Sequence, residues 1–216
     1  MNAVTLEKID QLQTGWLRLL ERLGVEPAAA LPVFDRLVEQ YSEPHRHYHN
    51  LEHISEMLRT AGKLADLASN LMEIQLAIWF HDAVYDPRAK DNEERSAAQA
   101  EAILRPFGVA ADSLQRIADL ILLTRHTSAT AIGDAAILLD CDLAILGADP
   151  KRYARYAADI RQEYEWVPDE EYRRGRSPVL QSFLTREKIY STTRMFEVGE
   201  AAARSNMAAE LESIAY

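Results

Sequence analysis

One apolar run in this chain ends in two ionisable residues, and no other feature constrains the fold as strongly. Residues 76–80 read Leu-Ala-Ile-Trp-Phe, and His81 and Asp82 follow directly. Burying an unpaired imidazole or carboxylate is costly, so the fold must supply partners for both. A metal ion satisfies both groups at once, whereas a His-Asp hydrogen bond inside the core is the simpler alternative. For an isolated dipeptide the hydrogen bond is favoured, so the choice depends on other ligands along the chain.

The rest of the chain has the pattern of a helical protein. Apolar residues recur at intervals of three and four along most of the 216 residues, which is the spacing of one helix face. Glycine and proline number only 8 each, and helix-favouring residues are abundant. We therefore expect an all-α single domain over residues 1–216, a bundle of about nine or ten helices. Pro168 and Gly175 are expected to bound a connection, with a helix over residues 179–190 after it.

Composition narrows the classes of partner. The net charge of -10 argues against general nucleic-acid binding and against affinity for an anionic membrane. A single cysteine, Cys141, permits no internal disulfide and suits a reducing compartment. No secretory signal pattern opens the sequence, and no apolar run approaches the length of a membrane span. We expect a cytoplasmic protein without membrane association; a monomer and a homo-oligomer both fit the sequence.

Histidines are concentrated just before the predicted third helix. Four of the six lie within residues 45–53, and the helix is expected to start at Asn50 or just before it. On such a helix His49 and His53 would stand one turn apart on one face. A solvated, histidine-rich helix start is the alternative, but four imidazoles in nine residues favour a ligand role for at least one.

Two further carboxylates interrupt the apolar segment 134–147. Asp140 and Asp142 flank Cys141, which is most simply a small core residue. Because a buried carboxylate without partners is costly, at least one of the two should have a cation or several hydrogen-bond donors.

These residues form one candidate metal site. His53, the His81-Asp82 pair, and Asp140 or Asp142 would come from three different helices, and helical bundles build metal sites in this way. Mixed imidazole and carboxylate ligands suit a divalent Mn, Fe, Co, Ni or Zn ion, and the carboxylates also permit Mg. The expected metal-site core spans about residues 45–147, with flanking helices in 1–44 and 150–216.

The order of these motifs resembles a known superfamily. Segments 48–53 (Tyr-His-Asn-Leu-Glu-His), 80–85 (Phe-His-Asp-Ala-Val-Tyr), 91–96 (Asp-Asn-Glu-Glu-Arg-Ser) and 140–143 (Asp-Cys-Asp-Leu) resemble the HD superfamily of metal-dependent phosphohydrolases. More narrowly, they resemble a group of small bacterial proteins described as predicted HD-superfamily phosphohydrolases. The resemblance covers most of the chain. It implies an HD-like helical domain whose metal ligands are His53, His81, Asp82 and Asp142, with Asp140 as a supporting group or the alternative ligand.

The chain departs from the commoner family pattern in two places. Ala83 and Val84 follow the His-Asp pair, where Ile-Gly with a following Lys is frequent, and His49 precedes the first ligand as an extra histidine. Both departures leave the catalytic acid unassigned.

The reaction implied by the resemblance is hydrolysis of a phosphoester bond, by metal-activated water, in a small phosphorylated molecule or nucleotide. Asp82 would bind the ion and orient or deprotonate the water. His49, Glu94 and His126 are the candidates for a proton donor or a second-metal ligand, although Glu94 also suits a helix N-terminus, where acids complement the helix dipole.

The sequence also offers candidate phosphate-binding residues and leaves two competing functions open. The candidate phosphate-binding residues are Arg46, Arg125, Arg161 and His126, although most helical arginines are simply solvated. One rival is a di-iron oxygenase of the HD type, which would need additional ligands. The other is a non-catalytic helical protein with a structural metal.

Overall fold

The structure is a computed structural model that describes residues 6–125 and 131–214. Over these ranges the chain forms ten α-helices and no strand, which confirms the all-α prediction. None of the described helices is both long and apolar enough to cross a lipid bilayer. The helices are α1 (Leu6–Glu21), α2 (Pro27–Tyr41), α3 (Leu51–Lys63), α4 (Leu71–Phe80), α5 (Asn92–Leu104), α6 (Ala111–Leu123), α7 (Gly133–Asp142), α8 (Pro150–Glu163), α9 (Asp169–Leu184) and α10 (Thr193–Ile214).

Helix boundaries around the site follow local chemistry. The side chain of Asn50 caps α3 by accepting a hydrogen bond from the Glu52 amide at 2.8 Å. Asn70 begins α4 in the same way through the Glu73 amide. A 3-10 turn, Leu143–Gly147, continues directly from α7. The N-terminal ends of α3 and α4 are therefore set by local hydrogen bonds.

The prediction for the segment after Pro168 is wrong. A single helix, α9, covers Asp169–Leu184 and contains both Gly175 and Pro178. Burial of Leu180, which is 1% exposed, outweighs the helix-breaking tendency of these residues. Ile189 lies beyond α9 because its backbone amide, like that of Tyr190, donates to the carboxylate of Glu200 on α10.

Two hydrophobic cores meet at the end of α7. The first joins α1 to α7 and includes Trp16 and Trp79, whose rings meet edge to face at 5.4 Å. The second joins α8 to α10 with the turn after α7, and it includes Tyr48. Met195 packs against both cores. The candidate site therefore lies at a junction, where polar groups can be buried without interrupting either apolar interior.

Candidate metal centre

His81 and Asp82 lie at the C-terminal end of α4, where adjacent side chains can approach one another. His81 is the C-cap residue and still has helical dihedral angles (φ -57°, ψ -38°). Its Nε2 atom is 3.1 Å from Oδ2 of Asp82. The imidazole is 1% exposed, as expected for a residue that follows a buried apolar run.

Two other helices bring their side chains to this pair. Nε2 of His53, from α3, lies 3.3 Å from Nε2 of His81. Oδ1 of Asp142, the last residue of α7, is 3.1 Å from Nε2 of His53 and 3.9 Å from Nε2 of His81. One ligand atom each from His53, His81 and Asp82 falls within a 4.8 Å cluster.

This arrangement suits a divalent metal ion. Ligand atoms about 2.1 Å from a metal lie about 3.0 to 3.4 Å apart for tetrahedral or octahedral angles. Most of the separations between neighbouring ligand atoms fall in that range. Nδ1 of His81 donates to the carbonyl oxygen of Ile78 at 2.9 Å, so Nε2, the atom that faces the carboxylates, is the nitrogen that would bind a metal in place of a proton. His53, His81 and Asp82 therefore fit such an ion in both geometry and ligand chemistry, and Asp142 lies beside them as a further carboxylate.

Electrostatics also favour positive charge at the centre. Burial lowers the pKa of His81, but the charge of Asp82, its hydrogen bond and the charge of Asp142 raise the pKa to about 9. Burial raises the pKa of Asp82, yet the charge and hydrogen bond of His81 bring it below its usual value. A divalent ion could supply this positive charge in place of the proton.

The centre opens onto a cavity of about 410 Å³, which we call the first cavity. His81, Asp82 and Asp142 line it together with His49. Its remaining walls combine aromatic rings with cationic side chains, among them Tyr85, Tyr156, Tyr164, Phe183, Lys90, Arg125 and Arg176. An open cavity beside the ligands is typical of catalytic sites, since structural sites are closed by protein ligands.

The three cationic side chains of the first cavity differ in whether they already bind a carboxylate of the protein. Arg125 is paired with Glu93 and Glu94. Arg176 donates to both carboxylate oxygens of Glu210, at 2.8 and 3.2 Å. Lys90 is exposed and makes no ion pair or hydrogen bond within residues 6–125 and 131–214. Lys90 is therefore the cation most available to an incoming anion.

His49 precedes α3 instead of lying on it, so the predicted one-turn pairing with His53 is wrong. Because Asn50 is the cap residue, the chain turns before the helix begins. The two rings are nevertheless 6.0 Å apart, and Nδ1 of His49 lies 2.5 Å from Oε2 of Glu163. Burial lowers the pKa of His49, and the charge and hydrogen bond of Glu163 more than reverse this, so the net pKa is raised.

Glu163, from the end of α8, organises the histidine-rich segment. Its Oε1 atom accepts hydrogen bonds from the consecutive amides of His47, Tyr48 and His49 at 2.8, 2.7 and 2.9 Å. Its Oε2 atom accepts a bond from the Tyr85 hydroxyl at 2.7 Å. Burial raises the pKa of Glu163, but the charge of His49 and these hydrogen bonds lower it to about 2.

Sequence reasoning missed Glu163, although a signal for it was present. Tyr153, Tyr156 and Ile160 occupy the buried face of α8, and Glu163 falls on the same face three residues later. An acidic residue on an apolar face requires donors, and here they are the amides of a segment more than 100 residues away.

Arg46 does not have the predicted substrate-binding role. Its side chain is fully buried, and the guanidinium donates to the carbonyl oxygens of Asp82 and Ala83 at 2.6 and 3.1 Å. It also donates to the carboxylate of Glu43. Arg46 therefore holds the backbone of the His-Asp segment, because its donors are directed at the protein.

Asp140 is also committed elsewhere. Its Oδ1 atom accepts from the Ser191 amide at 2.7 Å, and its Oδ2 atom accepts from the Thr192 amide and hydroxyl at 2.8 and 2.6 Å. Both oxygens bind the segment that begins α10, so the predicted alternative ligand has a structural role. Asp142, two residues on, is the carboxylate that meets the histidines.

The remaining predicted residues lie at the edge of the site or away from it. Arg161 binds the carbonyl oxygens of Tyr164 and Val167 and the carboxylate of Asp169, so it does not reach the first cavity. Glu94 is half exposed and paired with Arg125, and it is not part of the cavity wall. His126 falls outside the described residues.

Comparison of the chain with protein-family models, with curated proteins and with solved structures found no match. The functional argument therefore depends on the motifs and on the geometry of the centre.

Proposed function

We propose that this chain is a metal-dependent phosphohydrolase that cleaves a phosphoester bond in a small phosphorylated molecule or nucleotide. The observation that carries the proposal is the meeting of two imidazoles and two carboxylates at the wall of an open cavity. A bound divalent ion (Mn, Mg, Fe, Co, Ni or Zn) would supply activation of water and polarisation of the phosphoryl group. The HD-like order of the motifs supports the same reaction class.

Four side chains would hold the ion: His53, His81, Asp82 and Asp142. Asp82 also suits the orientation of the attacking water, because only its Oδ2 atom contacts His81 and its Oδ1 atom makes no hydrogen bond within the described ranges. Arg46 supports this geometry by binding the carbonyl oxygen of Asp82.

His49 is our candidate for the group that protonates the leaving oxygen. Its ring lines the first cavity, and its Nδ1 atom is held by Glu163, so Nε2 is the nitrogen left to exchange a proton with a substrate. The pairing of an imidazole with a buried carboxylate fixes its orientation, as in other acid-base pairs.

The walls of the first cavity suit a phosphate joined to an organic group. Lys90 offers an ammonium that has no partner among the described residues, while Tyr156, Tyr164 and Phe183 offer apolar and aromatic surface. The volume of about 410 Å³ is in the range of small-molecule sites.

Both rival functions fit the structure less well. A purely structural metal is expected in a closed site, and this centre borders an open cavity. A di-iron oxygenase needs a second set of ligands, but two nearby carboxylates, Asp140 and Glu163, are already saturated by hydrogen bonds.

The test joins metal analysis to a substrate panel. We expect purified wild-type protein to retain or bind about one equivalent of a divalent metal and to release phosphate or alcohol from some phosphomonoester or phosphodiester with Mn or Co. His81→Ala should reduce both metal content and turnover to background. If wild type binds no metal and the panel is unchanged in His81→Ala, the proposal is wrong.

Lys90→Gln tests whether the first cavity receives the phosphate. We expect KM for the substrate found in the panel to rise about tenfold, since a charge-assisted contact is lost, with little change in the free energy of unfolding. Steady-state kinetics measures the effect. Lys151→Gln is the matched control, because this exposed lysine on α8 lies outside the first cavity. Equal KM changes in both variants would contradict the assignment.

A further inference from the structure

A second cavity, of about 230 Å³, lies next to the metal centre. His53 borders it, and Tyr48 lines both cavities. Its wall also includes the polar side chains of Glu56, Arg59, Thr60, Asp149 and Arg152. The proposed hydrolysis takes place at the first cavity and does not use this second cavity.

Two donors in its wall are buried without a partner. The hydroxyl oxygen of Tyr48 and Nη1 of Arg152 are shielded from solvent, and neither forms a hydrogen bond to any part of the chain that the structure describes. Tyr48 is only 5% exposed. Leaving one such group unsatisfied costs about 1–3 kcal/mol, so an acceptor in this cavity would be strongly favoured.

Arg152 is held rigidly in this position. Its Nε and Nη2 atoms bind the two carboxylate oxygens of Glu56 at 3.1 and 2.7 Å. The planar guanidinium therefore cannot turn Nη1 toward another acceptor without breaking this bidentate pair.

His53 offers a third donor. Its Nε2 atom faces His81 and Asp142, and its Nδ1 atom has no hydrogen-bond partner in residues 6–125 and 131–214. When Nε2 binds a metal, Nδ1 carries the proton, and metal-ligating histidines normally donate that proton to an acceptor. The ring of Tyr48 lies 4.8 Å from the ring of His53, and both residues line the second cavity.

The charges of the second cavity favour a small anion. Arg59 and Arg152 balance Glu56 and Asp149, but both acids are occupied: Glu56 by Arg152, and Asp149 by the Lys151 and Arg152 amides at the start of α8. The guanidinium of Arg59 is exposed and has no ion pair within the described chain. Among the residues that the structure describes, the buried side-chain atoms of this wall without a partner are the Tyr48 hydroxyl and Nη1 of Arg152, and both can donate.

We propose that the second cavity binds a small oxyanion, inorganic phosphate or a carboxylate group, through the Tyr48 hydroxyl, Nη1 of Arg152 and Nδ1 of His53. The anion would accept all three protons, and Arg59 would add charge from the cavity rim. Because Nδ1 of His53 would be one of its contacts, the anion would also fix the tautomer and orientation of that imidazole. The proposal does not depend on phosphohydrolase activity.

Titration calorimetry on chelator-treated full-length protein tests the site, with sodium phosphate and sodium acetate as probes at constant ionic strength. We expect saturable binding of at least one anion, weakened about tenfold in Tyr48→Phe and several-fold in Arg59→Gln, since each removes a contact to a charged acceptor. Lys90→Gln removes the free cation of the first cavity and should leave this binding unchanged. Phosphate binding with no acetate binding would assign the site to phosphate, and the reverse would assign it to a carboxylate.

Two further readouts separate this site from others. In anion-free buffer Tyr48→Phe should be at least as stable as wild type, because the hydroxyl it removes has no partner in the described chain. In zinc-bound wild type, where Nδ1 of His53 carries the proton, the ¹⁵N signal of that atom should move with added anion. No saturable binding, or binding lost in Lys90→Gln but retained in Tyr48→Phe and Arg59→Gln, would overturn the proposal. An inactive, metal-free protein that still binds the anion would reject only the proposed hydrolysis.

Discussion

Asp142→Asn is expected to lower metal affinity by more than about 100-fold, because loss of a metal ligand should exceed the 10–100-fold effect of losing a supporting group. Phosphohydrolase activity should fall with it. The carboxylate of Asp142 meets Nε2 of His53 at 3.1 Å, and a neutral amide binds a divalent ion more weakly. Titration of chelator-treated protein with Mn or Zn measures the affinity directly.

Asp140→Asn is the matched control, since it makes the same chemical change two residues earlier on α7. Its carboxylate accepts three hydrogen bonds from Ser191 and Thr192, so we expect the free energy of unfolding to fall by about 2–4 kcal/mol. Metal affinity of the folded fraction should stay within about threefold of wild type, since a ligand is retained. The opposite pattern, with metal lost in Asp140→Asn and retained in Asp142→Asn, would move the ligand to Asp140.

Glu163→Ala should cause the largest loss of stability among the variants considered, about 3–5 kcal/mol. The substitution leaves the amides of residues 47–49 without their acceptor and removes the partner of His49 and Tyr85. Glu163 is 2% exposed, so water cannot replace it without reorganisation. Equilibrium urea unfolding gives the free energy.

Glu165→Ala is the control for this prediction. Glu165 is exposed and lies two residues beyond Glu163, so its loss should change stability by less than about 0.5 kcal/mol. Glu163→Gln gives a further test in the folded protein, through the proposed activity. Its amide can still accept the backbone bonds but no longer carries a charge opposite His49, so kcat should fall more than KM changes. Equal stability of Glu163→Ala and Glu165→Ala would contradict the role given to Glu163.

Local sequence patterns were sufficient for the helical class and for the position of the His-Asp pair. The apolar run of residues 76–80 places His81 and Asp82 directly after a buried segment, and α4 ends at Phe80 with His81 as its C-cap residue. Two ionisable residues at a buried helix end need partners, and the sequence analysis expected these to be His53 and Asp140 or Asp142. In the structure His53 and Asp142 lie beside the pair. Local patterns failed where burial outweighed propensity, as at Gly175 and Pro178 inside α9.

Only the tertiary structure decided which carboxylate faces the histidines. Residues two apart on a helix are related by a rotation of about 200°, so Asp140 and Asp142 point to nearly opposite sides of α7 and could not both reach one point. Both lie in a nearly uniform apolar segment, and its periodicity does not show which side meets α3 and α4. The packing of α10 settled this by placing the Ser191 and Thr192 donors against Asp140.

The sequence by itself determined the all-α class and the need to compensate His81 and Asp82, because these depend on neighbours in the chain. The tertiary structure decided the roles of Arg46 and Glu163 and the existence of the second cavity. Arg46 binds carbonyl oxygens 36 and 37 residues away, and Glu163 binds amides more than 100 residues away. Hydrogen bonds between residues so far apart in the sequence depend on how the helices pack. Residue type and local spacing do not predict that packing.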